Sequence, residues 1–125
     1  MALVPALAWS QGDPVGPEFR VNTYTTGNQG LVSVAADGAG DFVVVWTSGS
    51  NQDGSAYGIF GQRYAGSGAP QGPEFRVNTY TTNIQYRSFA PADSSGRFVV
   101  VWESTAQDGS LRGIFGQRYD TSGIA

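Results

Sequence analysis

The sequence predicts an all-β chain made of two four-stranded antiparallel repeats with the look of β-propeller blades. Three observations predict it. Asp41-Phe42-Val43-Val44-Val45-Trp46 returns almost unchanged as Arg97-Phe98-Val99-Val100-Val101-Trp102, and each copy has Gly-Pro-Glu-Phe-Arg-Val-Asn-Thr-Tyr-Thr-Thr and Gly-Ile-Phe-Gly-Gln-Arg-Tyr as companions, so the chain is a duplication. No stretch sustains a helical apolar period, and Gly, Thr and Val stand where a helix would have to run. Each unit of about 55 residues holds four strand-like runs joined by short turns, the size and order of a propeller blade. A β-sandwich or a stacked β-repeat fibre unit fits the same runs. One domain over residues 1–125 is expected, with a lead at 1–16, a first repeat at 17–72 and a second at 73–125.

The opening residues Met1 to Trp9 contain Ala6-Leu7-Ala8, which looks like a signal-peptidase site but lacks a basic flank and a long enough apolar run. Leu3 and Val4 align with Ile59 and Phe60, so this lead reads as a worn strand. Phe19, Val21 and Thr23 then alternate with Arg20, Asn22 and Tyr24, the pattern of a strand with one apolar and one polar face. Pro17 and its counterpart Pro73 stand at its start, where a missing N–H is tolerated.

After a turn at Gly27 to Gly30, a short strand is expected from Leu31 to Ala36; in the second copy the turn is Asn83 to Arg87 and the strand Ser88 to Ala92. Asp37-Gly38-Ala39-Gly40 and Asp93-Ser94-Ser95-Gly96 read as tight hairpins, with Asp bonding the turn backbone and Gly supplying positive φ. These deliver the chain into Phe42 to Ser48 and the matching run from Phe98, apolar at successive positions and therefore covered on both faces. A polar loop carrying Gln-Asp-Gly-Ser follows, one residue shorter in the second copy. Strands from Gly58 to Tyr64 and Gly113 to Tyr119 come next, where Gly61 and Gly116 suggest close approach of a backbone or an aromatic ring. The run from Glu74 to Thr81 completes the first unit.

Labelled D for the Glu-Phe-Arg-Val-Asn strand and A, B, C for the others, the chain reads D-ABC-D-ABC. One blade is whole and the other is split between the two ends. Two blades cannot close a propeller, which uses about four to eight, and a wet apolar face forfeits about 1.5–3 kcal/mol per large side chain. The expectation is head-to-tail self-association, as a ring or a filament. Phe19, Val21, Phe42, Val44, Trp46, Phe98, Val100, Trp102, Ile114 and Phe115 are the candidate assembly residues.

Composition removes most chemistry. With no Cys and no His, thiol nucleophiles, the usual general base, common triads and almost all zinc or copper sites are excluded, so the chain is not expected to be an enzyme. A net charge of -3, with all seven basic residues Arg, gives no footprint for nucleic acid, and no run reaches membrane-spanning length. Oxygen donors remain, which favours calcium, with Asp53, Asp108, Asn51 and Ser55 as candidate ligands. The same aspartates also fit turns in which the carboxylate caps its own backbone. Arg63, Tyr64, Arg118 and Tyr119 are candidates for a groove between blades, where the tyrosines and Trp46 and Trp102 would stack on a sugar; a carbohydrate-binding propeller formed by oligomerisation is the alternative function. Glu18 with Arg20 and Glu74 with Arg76 read as ion pairs on a polar face.

Phe-Val-Val-Val-Trp, Gln-Asp-Gly-Ser, Gly-Ile-Phe-Gly-Gln-Arg-Tyr and Gly-Pro-Glu-Phe-Arg-Val-Asn-Thr together resemble a tandem repeat of very large secreted or surface-attached bacterial proteins, some adhesin-like and calcium-associated. The resemblance spans residues 12–123 and implies an extracellular, non-enzymatic, β-rich module of the bacterial surface or matrix. It brings no catalytic residues. The second copy departs from the pattern at Ile84 to Pro91. The architecture is also similar, without a shared sugar-binding motif, to small two-blade lectins that trimerise into a six-bladed propeller.

Overall fold

The computed structural model describes residues 12–125. The lead segment discussed above therefore lies largely outside the described residues. Seven strands and no helix are present among the described residues: β1 (Gln29–Ala36), β2 (Phe42–Gly49), β3 (Tyr57–Tyr64), β4 (Phe75–Arg76), β5 (Gln85–Phe89), β6 (Phe98–Thr105) and β7 (Arg112–Tyr119). They form two antiparallel sheets, one of four strands in the order β1-β2-β3-β4 and one of three in the order β5-β6-β7.

The duplicated sequence folds the same way twice. Val44 pairs with Gln62 across β2 and β3, and Val100 pairs with Gln117 across β6 and β7. Both first strands carry a register shift at the matching place, between Gly30 and Ser33 and between Tyr86 and Phe89, with Leu31 at φ 51° and Arg87 at φ 56°. The turns behave as their sequence requires. Asp37 Oδ1 accepts from the Ala39 and Asp41 N–H groups at 2.8 and 3.0 Å, and Asp93 Oδ1 accepts from Ser95 and Arg97 N–H at 3.0 and 3.1 Å.

The sheets pack face to face. Val43, Val45 and Ile59 of the first meet Phe98, Val100, Trp102 and Tyr119 of the second, and Val77 and Ala90 close the cluster. Because side chains alternate along a strand, Val44 and Trp46 point the other way. With Phe60 and Tyr64 they form a second buried cluster, against which Val21 and Phe42 pack. Thus β2 is buried on both faces, as its continuous apolar run predicts. The identical run in β6 is not: Phe98, Val100 and Trp102 are buried while Val99 and Val101 are half-buried. Position, not sequence, makes that difference.

Two expected elements differ. Both A strands start earlier than their sequence suggests: Gln29 and Gly30, in the expected first turn, pair with Ser48 and Thr47, and Gln85 and Tyr86, in the expected second turn, pair with Ser104 and Glu103. In both copies the starting glutamine is held by its own side chain, Gln29 donating to the Thr26 carbonyl at 3.2 Å and Gln85 to the Thr82 carbonyl at 3.0 Å. The D strands shrink: only Phe75–Arg76 is a strand, and residues 12–28 contain none. The two copies differ, since β4 lies along β3, whereas the residues around Phe19 pair with no strand of the described chain.

Candidate functional site

The first sheet shows how a D segment is held. Gly61 pairs with Phe75 and Phe60 with Arg76. The Val77 N–H donates to the Ile59 carbonyl at 2.8 Å, and the Ile59 N–H donates to Asn78 Oδ1 at 2.7 Å, so the side chain of Asn78 continues the ladder where the backbone leaves it. The amide end of Asn78 donates to Asp53 Oδ2 at 2.9 Å and to the Tyr80 carbonyl at 3.0 Å. Asn78 is 1% exposed and Asp53 8%. Gly58 leaves the space for that carboxylate, since a Cβ there would lie 2.6 Å from Asp53 Oδ2. Gly61 does the same for Phe75, whose Cζ would lie 2.8 Å from an added Cβ, which is the close ring approach expected from the sequence.

β4 also touches the second sheet. Phe75 lies 5.6 Å from Tyr119, tilted by 55°, and Tyr119 stacks on Phe98 at 4.6 Å. The same three-ring set recurs on the first sheet, where Phe19 lies 5.3 Å from Tyr64 at 55° and Tyr64 stacks on Phe42 at 5.0 Å. The segment around Phe19 therefore sits on the first sheet as β4 sits on the second. Its Thr23 N–H and Oγ1 donate to Glu74 Oε2 at 2.7 and 2.9 Å, which ties the two D segments together.

The second sheet has the acceptor half of this arrangement and not the donor half. Among the described residues, no strand lies on the outer edge of β7. Ile114 there is 74% exposed and Gly116 is exposed. Asp108 caps Ser110 through Oδ1 at 3.1 Å, as Asp53 caps Ser55 at 3.1 Å, and its Oδ2 would lie 2.6 Å from a Cβ on Gly113. The loop is thus preset in the geometry that receives Asn78 in the first sheet.

The expected assembly residues divide accordingly. Val44, Trp46, Phe98, Val100 and Trp102 are buried within the chain, Val21, Phe42 and Phe115 are half-buried, and Phe19 and Ile114 are exposed. The face left partly open on the second sheet is made by Val99, Val101 and Ile114, counterparts of the Val43, Val45 and Ile59 that the first sheet buries.

The candidate calcium ligands do not gather. Both oxygens of Asp53 accept from Ser55 and Asn78, Asp108 caps Ser110, Asn51 is exposed, and among the described residues no three Asp or Glu side chains converge. The donor set fits the turn reading and does not fit a calcium cage, which takes about six to eight oxygens.

The candidate groove is also changed by the fold. Tyr64 and Tyr119 are 3% and 7% exposed, and Trp46 and Trp102 are buried, so none of these rings offers a face to a sugar. Burial pushes the Tyr119 hydroxyl up to about 12; the Tyr64 hydroxyl is also raised, by burial first and then by Glu74. Arg63 donates to the Thr121 carbonyl at 2.7 Å and to that of Ser122, joining the two sheets. Its counterpart Arg118 is exposed and lines an open groove with Arg97, Asp93 and Asp120. There the Ser95 hydroxyl and Arg97 hold Asp93 down to about 2, and Ser122 lowers Asp120. Of the expected ion pairs, Glu74 turns instead to Thr23 and Gln52.

Asn78 and Gln85, whose Oε1 accepts from the Asn78 amide at 3.4 Å, are both essentially buried and are the site residues that the pattern of apolar positions misses. Their one sequence signal is that Asn and Gln recur at the same places in both copies, as Asn22 and Gln29. The chain matches no protein-family model, no curated protein and no solved structure.

Proposed function

We propose that this chain is a non-enzymatic structural module that assembles head to tail with copies of itself through an incomplete sheet. One observation carries the reading. Among the described residues the second sheet has no fourth strand, while residues 17–24, which repeat the sequence that supplies that strand to the first sheet, lie in no sheet. Within this reading each four-stranded unit is a propeller-like blade, one whole within the chain and the other split between its two ends, and successive copies form a ring or a filament according to the rotation between them. The likeness to repeats of large secreted bacterial proteins supports a place at the cell surface or in a matrix. The reading needs no calcium, since Asp53 and Asp108 each cap a turn N–H of their own loop.

The half-buried Val99 and Val101 and the exposed Ile114 supply the apolar contact, and the open edge of β7 supplies directional hydrogen bonds. Sedimentation velocity and electron microscopy over a concentration series test it. Assemblies that grow with concentration are expected; a stable monomer throughout the micromolar range would sink the idea.

A further inference from the structure

We infer that Asn22 of one chain locks onto Asp108 and the Ile114 N–H of a second copy, and that this latch sets the register of the contact. The inference rests on the head-to-tail reading and adds to it the residues that make the joint specific. The first sheet contains the finished version, in which Asn78 accepts from Ile59 N–H and donates to Asp53. Asn22 is the counterpart of Asn78, Ile114 of Ile59 and Asp108 of Asp53.

Each half is already shaped for the other. Asn22 donates its amide to the Tyr24 carbonyl at 2.8 Å, the same local turn that Asn78 makes with Tyr80 at 3.0 Å, and its Oδ1 has no partner among the described residues. On the receiving side, Ile114 pairs with Glu103 in the register in which Ile59 pairs with Thr47. Its N–H and C=O therefore face the open edge, as those of Ile59 face β4. Asp108 stands over Gly113 as Asp53 stands over Gly58.

The occupant is a second copy, because residues 17–24 repeat the Gly-Pro-Glu-Phe-Arg-Val-Asn-Thr that makes these bonds in the first sheet. Nor does seating them conflict with their existing contacts. β4 pairs with β3 and at the same time lays Phe75 on Tyr119, so a segment resting Phe19 on Tyr64 of its own chain has its hydrogen-bonding edge placed for a neighbour's β7. In that register Phe19 falls over the exposed Gly116, as Phe75 falls over Gly61.

Donor and acceptor polarity gives the test. Asn22→Asp sets two carboxylates against each other, and Asp108→Asn, with its remaining oxygen kept on the Ser110 N–H, sets two amide donors against each other. Combined, the two substitutions restore one acceptor facing one donor. Association of the purified full chain is measured by sedimentation, with circular dichroism and melting confirming that each variant is folded. Each single variant is expected to weaken association by about tenfold or more, and the double variant to regain most of it. Wild-type assembly that neither single change weakens would overturn the latch and leave the head-to-tail reading standing. Single variants that weaken association without recovery in the double would overturn the direct pairing. A wild-type chain that stays monomeric would overturn both.

Discussion

Asn78 and Asp53, 25 residues apart in sequence, meet side chain to side chain at 2.9 Å with both groups buried. The pair joins the loop after β2 to the segment after β4, so it closes the four-stranded sheet at its last edge. Removing the acceptor leaves a buried amide short of a partner, which costs about 1–3 kcal/mol. Asp53→Ala should lower the denaturant midpoint accordingly, with the slope unchanged. Asp108→Ala removes the same residue type from an exposed loop and should shift the stability of the dissociated chain by less than about 1 kcal/mol. Equal losses in the two variants would show that the buried pair contributes nothing of its own.

A chelator should leave the melting temperature unchanged. Asp53 accepts from Ser55 and Asn78 through its two oxygens, and Asp108 accepts from Ser110 through Oδ1, so each Gln-Asp-Gly-Ser loop is held by a protein donor of its own. A fall in melting temperature with chelator, reversed by calcium, would return these loops to a metal-binding role.

The repeat made the strands from Phe42 and Phe98 and the Asp-Gly hairpins legible, because alternation and turn chemistry are local properties. Gly61 was legible as a close approach for the same reason. The site was less so. That Ile59 is buried while its counterpart Ile114 is exposed depends on which sheet stands next to which, and identical sequences cannot carry that information. Alternation puts Asn22 and Asn78 on the polar face of a strand, yet Asn78 is among the most buried side chains. A polar residue gives no apolar period, and its burial follows only from the partner that Asp53 supplies across the loop.

Gly61 and Gly116 occupy matching positions with different neighbours, and alanine should separate them. At Gly61 a Cβ would lie 2.8 Å from Phe75 Cζ, so the ring must move or β4 must leave β3. Gly61→Ala is expected to destabilise the chain by about 1–3 kcal/mol. At Gly116 the nearest atom is Val101 Cγ1 at 3.2 Å, on an exposed strand edge. Gly116→Ala should therefore change the melting temperature of the dissociated chain little and weaken assembly, where Phe19 of a neighbour needs the space. Thermal scans paired with sedimentation distinguish the two effects, and an unweakened assembly of Gly116→Ala would contradict the register.

Acid should act first on the turns of the second sheet. The Ser95 hydroxyl, with Arg97, holds Asp93 to about 2, and Asp120 is lowered by Ser122. A depressed folded-state pKa means stability that is present above the unfolded value near about 4 and is lost as pH falls through the folded value. Loss of stability between about pH 4 and pH 2 is expected, and Asp93→Asn should flatten that limb in a series of denaturant titrations. An unchanged acid limb would mean that other carboxylates carry it.

The alkaline limit has the opposite sign. Burial raises the Tyr119 hydroxyl to about 12, against about 10 for an exposed tyrosine. A raised folded-state pKa gives stability that is complete below about pH 10 and is lost as pH rises toward 12, because the unfolded chain releases its proton first. Tyr119→Phe keeps the ring that stacks on Phe98 and contacts Phe75 while removing the ionising group. The variant should resist alkaline unfolding over that window and match the parent at neutral pH. Ultraviolet titration of tyrosinate should show one late-ionising group missing from it. If the variant loses stability at pH 7 instead, the Tyr119 hydroxyl has a structural partner besides its burial.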